Sequence, residues 1–181
     1  MYRLLHITLL LFCSASFADS LLQGTKQIYL LDNQGSQTHI GSIDFLSENE
    51  VVSYKLQLHH QQFTDYFLSM KEMKCLEGPE LWCHLGYPYQ NPHTVTATDF
   101  RWLSHDLLFM FKKPSEFGAN FWNGVYYEIT LVDGSLVGTG KAVDLNMLAA
   151  PPESNETPPI TDALLDELDS HQRWLPMLEI K

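Results

Sequence analysis

The sequence predicts a mainly β chain: an antiparallel small barrel, or a strongly curled sheet or sandwich, with a short C-terminal helix. Three observations carry that reading. Residues 40–46 and 51–59 alternate apolar and polar side chains with the period of two that a half-buried strand requires. Asp133-Gly134 separates two β-prone runs, and this dipeptide supplies the positive φ values of a type I′ turn. The strand signals follow one another at near-even spacing, without the crossover helices that parallel strands need.

The N-terminus sets the expected compartment. Met1-Tyr2-Arg3 gives a positive charge, residues 4–12 are mostly apolar, and Ser16 and Ala18 are small residues at a small-x-small exit. This is the pattern of a secretory signal peptide, here residues 1–18, cleaved after Ala18. Its apolar core is shorter than the about 20 residues a membrane span takes. Lipidation of Cys13 is disfavoured, because Phe12 stands where such sites carry Gly or Ala. A periplasmic or secreted mature chain is expected, with no transmembrane segment. Cleavage removes Cys13, so Cys75 and Cys83 remain as a pair that an oxidising compartment would join. It also removes Arg3, making the mature chain more negative than the −11 of the full sequence. That acidity argues against nucleic acid or an anionic membrane as partner.

The antiparallel β domain is expected over residues 19–148. Residues 28–31 form a first apolar run, and Asp32 to Gly35 is a turn signal. In residues 40–46 the apolar face is Gly41, Ile43 and Phe45. In residues 51–59 it is Val52, Tyr54, Leu56 and Leu58, and the two runs suit a hairpin. Residues 61–70 fit an extended lead into the next hairpin. That hairpin is the centre of the chain: Gly78-Pro79 punctuates two short runs, and folding about Pro79 sets Leu76 opposite Trp82 and Cys75 opposite Cys83. Opposed residues bring Cβ atoms to about 4.5–5.5 Å, close to disulfide distance. A metal site at Cys75, Cys83 and His84 is the weaker alternative, because seven intervening residues do not match zinc-ligand spacing.

Beyond Pro92, Thr94 to Thr96 is β-prone, and Thr98-Asp99 caps one helical turn through Leu103. Residues 107–111 are continuously apolar and suit a buried strand. Residues 125–132 and 135–143 flank Asp133-Gly134 as a hairpin, in which Gly138 and Gly140 imply a bulge or a close backbone approach. Residues 149–160 are Pro-rich and acidic, a linker or strap. Thr161 then caps a short helix to about Asp169, and residues 161–181 end in a docked tail from Trp174.

Catalytic signals are weak. Ser104-His105-Asp106 holds the three residue types of a hydrolase triad, but a triad converges from separate elements and neighbours in a strand diverge. His59, His60 and His39 suit solvated strand ends better than a metal site. Glu77 and Glu80 flank the Gly-Pro turn and read as solvated. No phosphate loop, zinc-protease helix or nucleophile elbow is present in the sequence. No catalytic residue, cofactor or metal ligand is therefore assigned.

Aromatic density is the signal that points to binding. Trp82, Tyr87 and Tyr89 lie in the central stretch, and Phe121, Trp122 and Tyr126 surround the entry to the last hairpin. Pro88 stiffens the presentation of its two tyrosines. Aromatics on rigid loops suit contact with a small ligand or a protein.

The run Cys-Leu-x-Gly-Pro-Glu-x-x-Cys-His-Leu-x-Tyr-Pro-Tyr, Cys75 to Tyr89, resembles a pattern in uncharacterised exported proteins of Gram-negative bacteria. Asn123 to Tyr127, Val143 to Leu145 and Ala149 to Pro152 resemble later parts of it. The resemblance implies export and no particular activity. The expected role is an exported, non-catalytic β-domain that binds a ligand or protein through its aromatic loops. The alternative is a secreted or periplasmic hydrolase whose site leaves no sequence signature.

Overall fold

A computed structural model describes residues 21–47, 51–68 and 71–181. The signal-peptide reading, cleavage after Ala18 and the place of Cys13 lie outside the described residues.

The first strands follow the alternation. Strand β1 (Gly24–Leu31) turns through Asp32, whose Oδ1 accepts the N–H groups of Gln34 and Ser36, each at 2.8 Å. Strand β2 (Gln37–Ser47) pairs back on β1 with a register shift: Ile28 faces Gly41 and Tyr29 faces His39. Ile40 is the extra residue of that bulge, and it is buried along with Gly41 and Ile43. Strand β3 (Val52–Leu58) buries Val52 and Tyr54 and pairs with β2 from Gly41–Leu58 to Ser47–Val52. A 3-10 turn at His60–Gln62 then leads to strand β4 (Thr64–Leu68), the extended segment expected there.

The central hairpin has the expected register. Strands β5 (Lys71–Glu77) and β6 (Leu81–His84) oppose Cys75 to Cys83 and Leu76 to Trp82. Cys75 and Cys83 are joined by a disulfide with Cα atoms 3.9 Å apart. The chain then makes an excursion from the middle of the sheet between Leu85 and Leu108. Within this excursion lie strand β7 (Thr94–Val95), which pairs with β3, and helix α1 (Arg101–Asp106). Asp99 Oδ1 accepts the Arg101 N–H at 3.0 Å at the start of α1. The helix runs to Asp106 rather than stopping near Leu103, so strand β8 starts later, at Phe109–Lys112.

Strands β9 (Gly124–Val132) and β10 (Ser135–Val143) form the long hairpin. Its turn residues have φ of 47° at Asp133 and 82° at Gly134, the type I′ signature. The ladder runs without a bulge, so close approach explains the second-strand glycines: a Cβ on Gly140 would lie 2.8 Å from the Pro176 carbonyl oxygen.

The last stretch departs from expectation. In place of a helix to Asp169 there is one 3-10 turn, Asp162–Leu164, followed by strand β11 (Asp166–Glu167) on β10 and a further 3-10 turn, Ser170–Gln172. Pairing with Lys141 and Ala142 of β10, beyond the reach of the final strand, replaces helical hydrogen bonds. The tail ends in strand β12 (Met177–Ile180), which inserts between β10 and β1.

Among the described residues these strands make one antiparallel sheet, ordered β4-β5-β6-β8-β9-β10-β12-β1-β2-β3-β7, with β11 on β10 off that path. The mainly β, antiparallel class is as expected, but the closed barrel or strong curl is not: the sheet is open. Closure would need a matched ladder between its outermost strands. The path ends instead in the two-residue β7 and the five-residue β4.

The middle of the sheet is buried on both faces. Leu76, Trp82, Phe109, Val125 and Tyr127 enter one apolar cluster, while Met73, Cys75, Leu81, Cys83, Met110 and Tyr126 enter the other. Burial of both faces is why residues 107–111 read as an unbroken apolar run. The tail is tied to this centre. Trp82 Nε1 donates to Tyr127 Oη at 3.0 Å, and Tyr127 Oη donates to the Leu175 carbonyl at 2.8 Å. Glu80 is buried rather than solvated: Arg173 Nη1 and the Trp174 N–H donate to its two oxygens at 2.6 and 2.9 Å.

The tail packs on the hairpin tip so closely that a Cβ on Gly78 would stand 2.4 Å from the Trp174 ring. Gly78→Ala should therefore displace Trp174 and cost about 1–3 kcal/mol. A urea titration reads this, and an unchanged midpoint would show that Trp174 does not rest on the tip.

Candidate functional site

The excursion between β6 and β8 brings the polar chemistry together, and Asp106 is its centre. Its side chain is nearly buried, and three donors meet it. Tyr54 Oη donates to Oδ2 at 2.7 Å, His93 Nδ1 to Oδ2 at 2.9 Å, and Asn91 Nδ2 to Oδ1 at 2.8 Å. The Asp106 backbone carbonyl accepts from His84 Nε2 at 2.8 Å. Strands β3 and β6, the loop and the end of α1 thus converge on one residue. Burial and the facing Asp106 charge push the Tyr54 phenol far up, so Tyr54 stays a donor. Beside this cluster lies a cavity of about 310 Å³, lined by Tyr54, Lys55, Leu56, His84, Gly86, Tyr87, His93 and Asp106.

The triad residue types do not converge. On a helix, Ser104, His105 and Asp106 point about 100° apart in turn. Ser104 Oγ donates to the Phe100 carbonyl at 3.2 Å. His105 is fully buried and serves as a bracket: Nδ1 donates to the Arg101 carbonyl at 2.7 Å, and Nε2 accepts the Ile160 N–H at 3.2 Å. That second bond pins the end of the Pro-rich strap. Tyr87, Trp102 and Tyr126 pack their rings around the imidazole, with centroids 5.3–5.8 Å away.

A second cavity, of about 320 Å³, is mainly apolar. Leu85, Tyr89, Phe121, Leu145 and Leu148 line it, with Gly86, Pro88, Asn146 and Ala149. Two cross-links hold its walls. Tyr89 Oη donates to the Leu148 carbonyl at 2.7 Å, and the Leu145 N–H donates to the Phe121 carbonyl at 2.8 Å. Asp144 caps the 3-10 turn Leu145–Ala149 by accepting the Asn146 N–H at 2.9 Å. A larger, polar hollow of about 490 Å³ lies by α1, where Asp99 holds Arg101 with two side-chain bonds at 3.0 and 2.7 Å.

The candidate aromatic residues separate accordingly. Tyr89 and Phe121 share the apolar cavity, and Trp122 beside them is 72% exposed. Tyr87 lines the cavity next to Asp106 and touches Tyr89 edge-on at 5.6 Å. Trp82 is fully buried in the core, and Tyr126 is buried, with its phenol pushed up to about 12 by that burial. Cys75 and Cys83 form the disulfide, so their thiolates offer no ligands, and no cluster of three or more metal-binding side chains occurs among the described residues. Asn91 and His93 escaped the sequence reading, and Asp106 entered it only with Ser104 and His105. The Asn-Pro step at Asn91-Pro92 marks a turn but not its partners. Comparison of the chain with protein-family models, curated proteins and solved structures finds no match in any of the three.

Burial pushes the imidazoles of His84 and His105 below their ordinary value. Both stay neutral in the fold and protonate more readily once unfolded. Their stabilisation is therefore present above the unfolded value of about 6.5 and is lost as pH falls below it. Unfolding free energies from urea titrations should drop between about pH 7.5 and 5.5, by up to about 1.4 kcal/mol per pH unit for each group. His105→Gln should flatten that slope. A slope unchanged by the substitution would mean that burial does not lower the His105 imidazole, and a steeper one that His105 is charged in the fold.

Proposed function

We propose that the protein is an exported binding domain that takes a small apolar ligand, or the apolar part of a larger one, in the cavity between Tyr89 and Phe121. The observation that carries this reading is the cavity itself. Its volume of about 320 Å³ falls within the range of small-molecule sites, and its walls are cross-linked before any ligand arrives. Pre-formed walls lower the ordering cost of binding. Tyr89 is the one titratable group in the lining, and its hydroxyl is engaged with Leu148. Such a lining offers contact area rather than an oriented acid or base, which favours binding over hydrolysis. Exposed Trp122 follows the lining residue Phe121 in the chain.

Export rests on the N-terminal pattern and agrees with the disulfide, since such bonds persist in oxidising compartments. Among the described residues, no helix is long and apolar enough to cross a membrane.

Titration with N-phenylnaphthylamine, whose fluorescence rises in apolar surroundings, tests the site. Saturable enhancement is expected. Ala149→Trp, at an exposed lining residue, should obstruct the cavity and weaken binding at least about tenfold, or roughly 1.4 kcal/mol, while leaving the thermal midpoint in place. Undiminished binding in that variant, or no saturable binding in the unaltered protein, would overturn the proposal.

A further inference from the structure

His93 is held more tightly than a loop residue with a side chain 56% exposed requires. Its φ of 52° lies in the left-handed region, which non-glycine residues enter uncommonly. Three bonds hold it there. The His93 N–H donates to Asn91 Oδ1 at 2.8 Å, its carbonyl accepts the Tyr54 N–H at 2.9 Å, and Nδ1 donates to Asp106 at 2.9 Å. The carboxylate fixes the tautomer: with the proton on Nδ1, Nε2 is left as a base with a free lone pair. No hydrogen bond engages Nε2 among the described residues. Asp106 is in turn fixed by Tyr54 and Asn91, so the imidazole is oriented through two layers of contacts.

The cavity of about 310 Å³ beside this base has a mixed lining. Leu56 and Tyr87 supply apolar surface, and His84 adds a second imidazole. His84 Nε2 donates to the Asp106 carbonyl, so its Nδ1 is also an unprotonated acceptor. The titratable groups around His93 are thus Tyr54, Lys55, His84, Tyr87 and Asp106. A site whose imidazoles, when neutral, present acceptor nitrogens calls for a ligand that brings a donor.

We propose that this cavity is a second ligand site, separate from the apolar one, which takes a small molecule bearing an acidic O–H and passes its proton to Nε2 of His93. The O–H bond breaks, the electron pair stays on the ligand oxygen, and an Nε2–H bond forms. Nothing is oxidised or reduced. The resulting imidazolium is paired with the Asp106 carboxylate, and the ligand oxyanion lies against it. Asp106 is a positioning residue, and His93 is the group that touches the ligand.

Para-nitrophenol is a suitable probe, because its phenolate absorbs visible light and its neutral form does not. At a pH below the phenol's own pKa, adding the mature protein should raise the phenolate band saturably. His93→Asn, which tolerates the same positive φ, should abolish the rise. Ala149→Trp should leave the rise intact, since Ala149 lines only the apolar cavity of the two. An equal rise in His93→Asn, its loss in Ala149→Trp, or no rise at all would overturn the proposal. Should His93→Asn fail to fold, the unaltered protein decides: the His93 Cε1–H resonance must move toward its imidazolium position as the probe saturates, and a stationary resonance contradicts the assignment.

Discussion

The carboxylate of Asp106 is the contact on which both cavities depend. The chain from Leu85 to Leu108 departs from the middle of the sheet after β6 and returns to it as β8, yet it holds a single shape because Tyr54, Asn91 and His93 all donate to one nearly buried side chain. A carboxylate brought out of water needs such donors, since an unsatisfied one carries a desolvation penalty of several kcal/mol. The requirement works in both directions: the donors satisfy the charge, and the charge fixes where the donors lie. Tyr87, Gly86 and Tyr89 ride on the same excursion, so its placement sets the walls of the apolar cavity as well.

The sheet supplies a rigid base for that excursion. Its middle strands are covered on both faces, and the disulfide pins β5 to β6 beside the point where the excursion begins. Strand β12 sits between β10 and β1 and joins the two parts of the ladder. The tail reaches that position by way of Glu80, which receives Arg173 and Trp174, and by way of Tyr127, which donates to Leu175. The strap that precedes it is held at Ile160 by His105. The buried polar groups His105, Asp106 and Glu80 therefore each tie a segment without long regular structure to the sheet.

Local signals in the sequence describe the sheet well and the site poorly. Alternation located β2 and β3, Asp133-Gly134 located the long hairpin, and Gly78-Pro79 placed Cys75 against Cys83, because each depends on neighbours within a few residues. The helix expected after Thr161 was decided instead by a distant strand: β10 offered its edge away from β9 at Lys141 and Ala142, and Asp166–Glu167 took it. Glu80 looked solvated because its partners lie in the tail. Trp82 looked available because its place on a doubly buried strand depends on β8 and β9. Asp106 was weighed within a triad that helical geometry disperses, while its true partners, Tyr54, Asn91 and His93, come from other stretches of the chain. Of the aromatic residues singled out, the structure gathers Tyr89 and Phe121 around one cavity and buries Trp82 and Tyr126 elsewhere.

Amide hydrogen exchange of Asp106→Asn against the unaltered protein tests the organising role of this carboxylate most directly. The substitution keeps the shape of the side chain, removes its charge and turns one acceptor into a donor that faces other donors. Exchange should quicken over residues 86–93 and at Tyr54, whose N–H bonds the His93 carbonyl, while the β9–β10 ladder retains its relative protection. Unchanged exchange over residues 86–93, or an equal loss of protection throughout the sheet, would contradict the view that Asp106 holds the excursion in place.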